Sequence, residues 1–250
     1  MSSTVVVKNN VFNDKIVPSE HDASLFCSKK YLFEEKIGRY KLNAHNKENG
    51  LILMSKIPDM AVTATFFDPQ YRGVLDKLSY GNEGKSRGTG RCNLPQMSEK
   101  VIIDFIKSID RVTKPSGHLF LWVDKFHLCE GVKDWFSDVN FSIVDMIVWD
   151  KQTFGMGYRT RRTCEFLIIL QKKPIKVKDI WLTHNIRDIW AEKIMTKGHP
   201  HCKPINLQKE LIISVSKEGD LILDPAMGSG SVLQASLLSN RKFIGCDLNG

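Results

Sequence analysis

Short, continuously apolar runs recur along this chain, several of them closed by an acid, and between them lie stretches whose apolar residues fall at helical spacing. Ala61–Phe67, rich in β-branched and aromatic residues, reads as a buried strand that stops at Asp68-Pro69-Gln70-Tyr71. His118–Val123, Phe141–Trp149, Cys164–Leu170, Leu221–Leu223 and Lys242–Cys246 read as further strands. Helices are expected over Gly50–Asp59, closed by Pro58, around Glu130–Asp138, over Asn206–Ser216 and over Ser231–Leu238. Ser98 is placed to cap another, in which Val101, Ile102, Phe105, Ile106 and Ile109 form an inward stripe, and Pro115-Ser116-Gly117 is expected to break it from the next strand.

Two of these runs share an ending. Asp68-Pro69 closes the first and Asp224-Pro225 closes a later one, and carboxyl ends of buried strands are where open α/β sheets place ligand chemistry. The second ending continues as Ala226-Met227-Gly228-Ser229-Gly230, then a helix, then a strand reaching Asp247. Gly228 and Gly230 allow backbone to approach a ligand closely, the helix start beyond them can receive a carboxylate, and Asp247 is placed to accept from ribose hydroxyls. The spacing is not that of the dinucleotide fingerprint.

Composition narrows the partners. The 250 residues, 42% hydrophobic, suffice for one substantial core, and a formal net charge of +8 with a pI near 9.1 suits a polyanion. Six scattered cysteines without a C-x-x-C pair read as thiols of a cytosolic protein, and no metal-ligand cluster is visible. No run approaches the length of a membrane span and no signal-peptide core is seen, so a cytoplasmic location is expected, with no membrane partner. Cations concentrate in two glycine-bearing stretches. One is 72–95, with Arg72, Lys85, Arg87 and Arg91; the other, within 150–163, carries Arg159, Arg161 and Arg162. Both are candidates for phosphate contact, and 172–198, spanning a basic run and Trp181–Trp190, is a candidate for target recognition. Glu165 is a candidate to orient the arginine-bearing segment.

In this order, Asp68-Pro69-Gln70-Tyr71 and Asp224-Pro225-Ala226-Met227-Gly228-Ser229-Gly230 resemble the D-P-P-Y and D-P-F-x-G-S-G motifs of the amino-group DNA methyltransferases that use S-adenosylmethionine. The permuted arrangement, catalytic motif first, is similar to the family's β class. His199-Pro200-His201-Cys202-Lys203-Pro204 is similar to that class's H-P-x-x-K-P segment. The resemblance covers about residues 47–250. It implies an α/β, Rossmann-like, mostly parallel sheet with one antiparallel strand (Phe141–Trp149 and Cys164–Leu170 making the hairpin), helices on both faces and circularly permuted motif order. It divides the chain into an extension, 1–39, and a methyltransferase domain, 40–250. It further implies Asp68 and the Pro69 carbonyl as acceptors for an amine and Tyr71 as a stacking platform for a flipped base. Asp224, Pro225, Met227, Gly228, Gly230 and Asp247 would line the cofactor, with Lys203 nearby. Asn49 is the nearest match to an acid that contacts the cofactor's adenine, though a helix cap is the plainer reading of it.

The exocyclic amine of adenine is a poor nucleophile because its lone pair is delocalised into the ring, and two acceptors on its N–H groups would localise that pair. Aspartate at the first motif position suggests adenine N6, since cytosine-N4 relatives tend to carry serine there. An RNA substrate and a DNA-binding subunit without transferase activity are the rivals, as is cytosine N4. Gln70 departs from the family's second proline and removes rigidity without removing either acceptor. A homodimer or a partner subunit is compatible with the sequence.

Overall fold

The computed structural model describes residues 35–70, 97–155, 160–194 and 202–248. Its centre is a mixed sheet of eight strands among the described residues, in the order β3-β10-β9-β4-β5-β7-β6-β8. These are β3 (Asn46–Lys47), β4 (Val62–Phe67), β5 (Thr113–Val123), β6 (Phe141–Gly155), β7 (Arg162–Lys172), β8 (Ile189–Ala191), β9 (Leu221–Asp224) and β10 (Lys242–Asp247); β1 (Lys36–Ile37) and β2 (Tyr40–Lys41) form a separate hairpin. Strand β7 runs against both β5 and β6, and every other pairing in the sheet is parallel. The sheet is therefore mostly parallel with one reversed strand.

The permutation is visible in the register. Strand β4 lies between β5 and β9, with Ala64 opposite His118 on one side and Ile222 on the other. The early strand that carries Asp68 thus sits beside the late strand that carries Asp224. Near-continuous burial along β4, β5 and β7 follows from helices covering both faces, since a strand exposed on one side would alternate.

On one face pack α1 (Gly50–Met54) and α2 (Glu99–Val112), with Leu53, Met54, Ile102, Phe105 and Ile109 against Phe67, Leu119, Leu121 and Leu223. On the other face pack α4 (Ile205–Val215) and α5 (Ser231–Leu238), with Leu207, Leu211, Val232 and Ala235 against Phe66, Phe120, Leu167 and Ile222. Adjacent residues Phe66 and Phe67 anchor opposite cores; Phe66 stacks on Phe120 at 4.7 Å and Phe67 on Phe105 at 5.2 Å between ring centroids. Burying a phenylalanine is worth roughly 1.5–3 kcal/mol, so the strand is fixed firmly just before its acid. Ser98 caps α2 by accepting from Val101 N–H, as its sequence signature suggests.

Three local expectations are corrected. Pro115-Ser116-Gly117 does not separate helix from strand: β5 begins at Thr113 and absorbs the tripeptide as an irregularity, with Ser116 at φ +62 and a register shift between Val62 and Ala64 opposite. The helix expected around Glu130–Asp138 is instead α3 (Lys125–Glu130) followed by a 3₁₀ turn at Lys133–Phe136. Asp124 caps α3 through Phe126 and His127 N–H, and Gly131 at φ +91 ends it. The hairpin arms also outrun the sequence pattern: β6 continues to Gly155 and β7 starts at Arg162. The β1–β2 hairpin turns at Gly38 and Arg39, and its Ile37 and Tyr40 pack on the first core.

Candidate active site

Parallel strands β4, β9 and β10 are neighbours and end on the same side, so Asp68 follows the first and Asp224 and Asp247 close the other two. Three carboxylates thus gather at one edge, and the most buried of them, Asp224, feels the other two. Burial, with repulsion from Asp68 and Asp247, pushes its carboxyl up to about 8, against the stabilising bond from Ala226 N–H at 3.1 Å. The adjoining Cys246 thiol is pushed up to about 12 by burial and by Asp224, Asp247 and Glu48, which leaves it without thiolate character.

The loop after Asp224 is folded by its own backbone. Met227 N–H donates to Cys246 O at 3.0 Å and Gly230 N–H to Met227 O at 2.8 Å. Gly230, at φ +78, precedes α5 in a conformation that disfavours a side chain, and a Cβ there would stand 3.0 Å from His45 Nε2. Gly228 also has positive φ and is exposed, and a Cβ there would meet only open space, so the loop presents bare backbone at that point. Gly50, at the start of α1, presses on the same loop; a Cβ there would lie 2.3 Å from Pro225 O.

Asn49 caps α1, its side chain accepting from Leu51 N–H at 2.9 Å. The neighbouring Glu48 accepts from Asn49 N–H and from the Tyr40 hydroxyl, both at 3.0 Å, and also pairs with Arg39. The Asn49 and Tyr40 bonds hold its carboxyl below the ordinary range against the opposing effect of burial. Glu48 N–H donates to Asp247 O at 3.2 Å, so an acid does stand beside Asp247, one position before the residue that sequence reasoning singled out.

On the catalytic side, Pro69 is buried and Gln70 exposed. Gln70 O accepts from Met97 N–H at 2.6 Å, which ties together the two ends of the 71–96 stretch. Lys203 Nζ lies 3.0 Å from Asp68 Oδ2 and 2.8 Å from Glu165 Oε2, and 4.9 Å from the centroid of the Trp122 ring. Lys151 Nζ reaches Glu165 Oε1 at 3.3 Å. The result is an alternating chain, Asp68, Lys203, Glu165, Lys151, drawn from β4, the segment before α4, β7 and β6. Burial works against the Lys203 charge, but Asp68 and Glu165 outweigh it and hold the ammonium above its ordinary value. Burial likewise opposes the Glu165 charge, and Lys203 and Lys151 bring its carboxyl below the usual range.

Of the residues singled out from sequence, Asp68, Pro69, Asp224, Pro225, Met227, Gly228, Gly230, Asp247, Lys203 and Asn49 are therefore placed, with Lys203 on Asp68. Arg161 and Arg162 are exposed at the start of β7. Tyr71, Arg72, Lys85, Arg87, Arg91, Arg159, His199 and His201 lie outside the described residues. Within the candidate recognition stretch, Trp181 packs edge-on to buried His118 at 5.6 Å, Leu182 N–H donates to Ser214 O at 2.7 Å, and Ile189–Ala191 pairs with β6 as β8. Trp122 and Lys151 were missed. The pattern of apolar runs marks Trp122 only as core, and nothing local in sequence connects Lys151 to Glu165.

A family model described as a DNA methylase, covering N6 and N4 amino-methyltransferases, matches residues 62–250, which takes in β4 through β10. The chain belongs to that DNA methylase family. Among curated relatives, the methylase is 58% identical over 208 residues to the Type II methyltransferase M.HhaII of Haemophilus parahaemolyticus, covering 83% of this chain and 91% of that one. It is 28% identical over 229 residues to the Type II methyltransferase M2.MboI of Moraxella bovis, covering 80% of each. Among solved structures, its fold is similar to the PvuII DNA methyltransferase, described as cytosine-N4-specific, with a TM-score of 0.62 at 14% identity over 82% of this chain and 81% of that one. It is also similar to M1.HpyAVI, solved as a complex with SAM, with a TM-score of 0.57 at 18% identity over 80% and 91% of the two chains. The expectation of an α/β, mostly parallel fold of the amino-methyltransferase type is met.

Proposed function

We propose that this methylase transfers a methyl group from S-adenosylmethionine to N6 of adenine in DNA. The observation that carries the reading is the placement of Asp68-Pro69 at the end of β4, directly beside the Asp224 strand and its glycine loop. The residues at that edge suit the cofactor. A buried Asp224, pushed up by Asp68 and Asp247, calls for a cation, and the cofactor carries two, an ammonium and a sulfonium. Gly228 backbone faces open space for its methionine end, and Asp247 and Glu48 stand where ribose hydroxyls need acceptors. S-adenosylmethionine supplies the methyl on a sulfonium, which leaves as a neutral thioether.

The chain's part is to prepare the nucleophile. Asp68 and the Pro69 carbonyl accept from the two amine hydrogens and turn the nitrogen lone pair out of conjugation; Asp68 then helps disperse the positive charge that develops on nitrogen. Lys203 pairs with the Asp68 carboxylate at 3.0 Å. Tyr71 stacks on the base, which has to leave the duplex to reach this edge. The start of β7 and the stretches 72–95 and 150–163 face the nucleic acid, and Arg161 and Arg162 contact phosphates. Similarity to a Type II methyltransferase over most of both chains supports DNA as substrate and a role in restriction-modification, and aspartate at position 68 supports adenine.

The test is transfer of labelled methyl to unmethylated DNA, with nucleoside digestion and mass spectrometry. N6-methyladenine is expected from wild type and none from Asp68→Ala, with cofactor affinity in the variant within about threefold. N4-methylcytosine would overturn the base assignment, and transfer by Asp68→Ala would overturn the role of Asp68.

A further inference from the structure

Between Asp68 and the sheet's hairpin stands a charge chain whose middle member, Glu165, has no part in the mechanism above. Glu165 lies on β7, the reversed strand, with its backbone opposite Trp149 of β6. Its two oxygens are divided between two ammoniums, Oε2 at 2.8 Å from Lys203 and Oε1 at 3.3 Å from Lys151. Lys203 in turn spans Glu165 and Asp68 Oδ2 at 3.0 Å, with the Trp122 ring at 4.9 Å. Only 15% of the Lys203 side chain is exposed, so a second orientation in water is not open to it while both partners remain. Removing one partner changes that. The ammonium would then keep Asp68 and the Trp122 ring but lose the contact that fixes it from the side of β7, and the direction from which it meets the Asp68 carboxylate would no longer be set.

We propose that Glu165 is a positioning residue for methyl transfer, fixing the Lys203 ammonium and through it the rotation of the Asp68 carboxylate against the base amine. Resting on the methyl-transfer reading but not on which base is methylated, the inference assigns β7 a share in catalysis that the catalytic motif and the cofactor loop do not contain. Reaction geometry is steep in this regime: displacement of a reacting group by about 1 Å can cost on the order of a hundredfold in rate. Glutamine keeps an acceptor oxygen at the reach of glutamate, whereas alanine keeps none.

The test compares wild type, Glu165→Ala and Glu165→Gln in single-turnover methyl transfer to DNA, with S-adenosylmethionine affinity and thermal unfolding measured alongside. The alanine variant is expected to lose about 10- to 100-fold in rate with cofactor Kd within about twofold, and the glutamine variant to recover to within about fivefold of wild type. Wild-type rate in Glu165→Ala, equal losses in both variants, or a loss carried by cofactor affinity would each overturn the proposal. A second readout does not depend on activity. In a ¹⁵N spectrum of lysine ammonium groups, Lys203, identified by its absence in Lys203→Met, is expected to give a sharp, slowly exchanging signal in wild type and to lose it in Glu165→Ala. An unchanged signal would sink the positioning role even if wild type proves to methylate nothing, an outcome that by itself overturns the methyl-transfer reading instead.

Discussion

At the scale of single residues, Asp224 is where folding and function pull apart. Its carboxyl is pushed up to about 8 by burial and by Asp68 and Asp247, while in the unfolded chain it ionises in the usual carboxylate range near 4. A raised folded value means that its favourable contribution is complete below about pH 4 and is lost as pH rises to about 8. Asp224→Asn, which keeps an acceptor for Ala226 N–H, is therefore expected to unfold at a higher temperature than wild type at pH 8, to show no such advantage at pH 4, and to bind S-adenosylmethionine at least tenfold more weakly. Thermal melts at the two pH values and a titration calorimeter check this. In wild type the cofactor's cationic groups should drive Asp224 to ionise, so binding below pH 8 is expected to release close to one proton, read from the heat of binding in buffers of different ionisation enthalpy. The acid itself was legible in sequence, since an aspartate ending a buried strand announces itself. Its altered ionisation was not, because that depends on burial by the folded chain and on Asp68, more than 150 positions away.

At the scale of elements, helix α1 shows what the pattern of apolar positions reveals and what it hides. Its existence could be read directly, but the expected closure by Pro58 is not met: the helix ends at Met54, with Ser55 as its C-cap. Its purpose could not be read, for Gly50 appears in sequence as an ordinary helix start. In the structure it is the point where the helix meets the loop after Asp224: a Cβ would stand 2.3 Å from Pro225 O and 2.6 Å from Phe105 Cε1. Gly50→Ala is expected to cost about 1–3 kcal/mol of stability by overpacking and to weaken cofactor binding through the displaced loop. Denaturant unfolding and a binding titration check it; wild-type stability would mean that α1 shifts without consequence. The same contrast explains the irregular start of β5. Proline, serine and glycine in succession are turn signals, yet Gly117 is needed inside a strand, because a Cβ there would meet Thr63 O at 2.8 Å. Local signals mark the chemistry of the backbone and are silent on which neighbour demands it. For Lys203 and Glu165 the demand comes from strand order alone.

At the scale of the whole molecule, the net charge of +8 acquires a direction only through the site. Exposed Arg161 and Arg162 begin β7 on the side of the sheet where Glu165, Lys203 and Asp68 meet. Replacing both with alanine is expected to lower DNA affinity for every sequence alike and to reduce the log–log dependence on salt by about 2, as measured by fluorescence anisotropy between 50 and 200 mM salt. An unchanged slope would place the DNA elsewhere.

The neighbourhood of β4 and β9 also sets a schedule for the living cell. A ribosome delivers Asp68 early and Asp224 some 150 residues later, an interval of roughly 10–30 s at ordinary rates of translation. Throughout it, β4 lacks its partner on one side and the loop proposed to hold the methyl donor has yet to be made. Newly made protein is therefore expected to transfer no methyl until β9 and β10 have left the tunnel, and until then β4 keeps an unpaired edge.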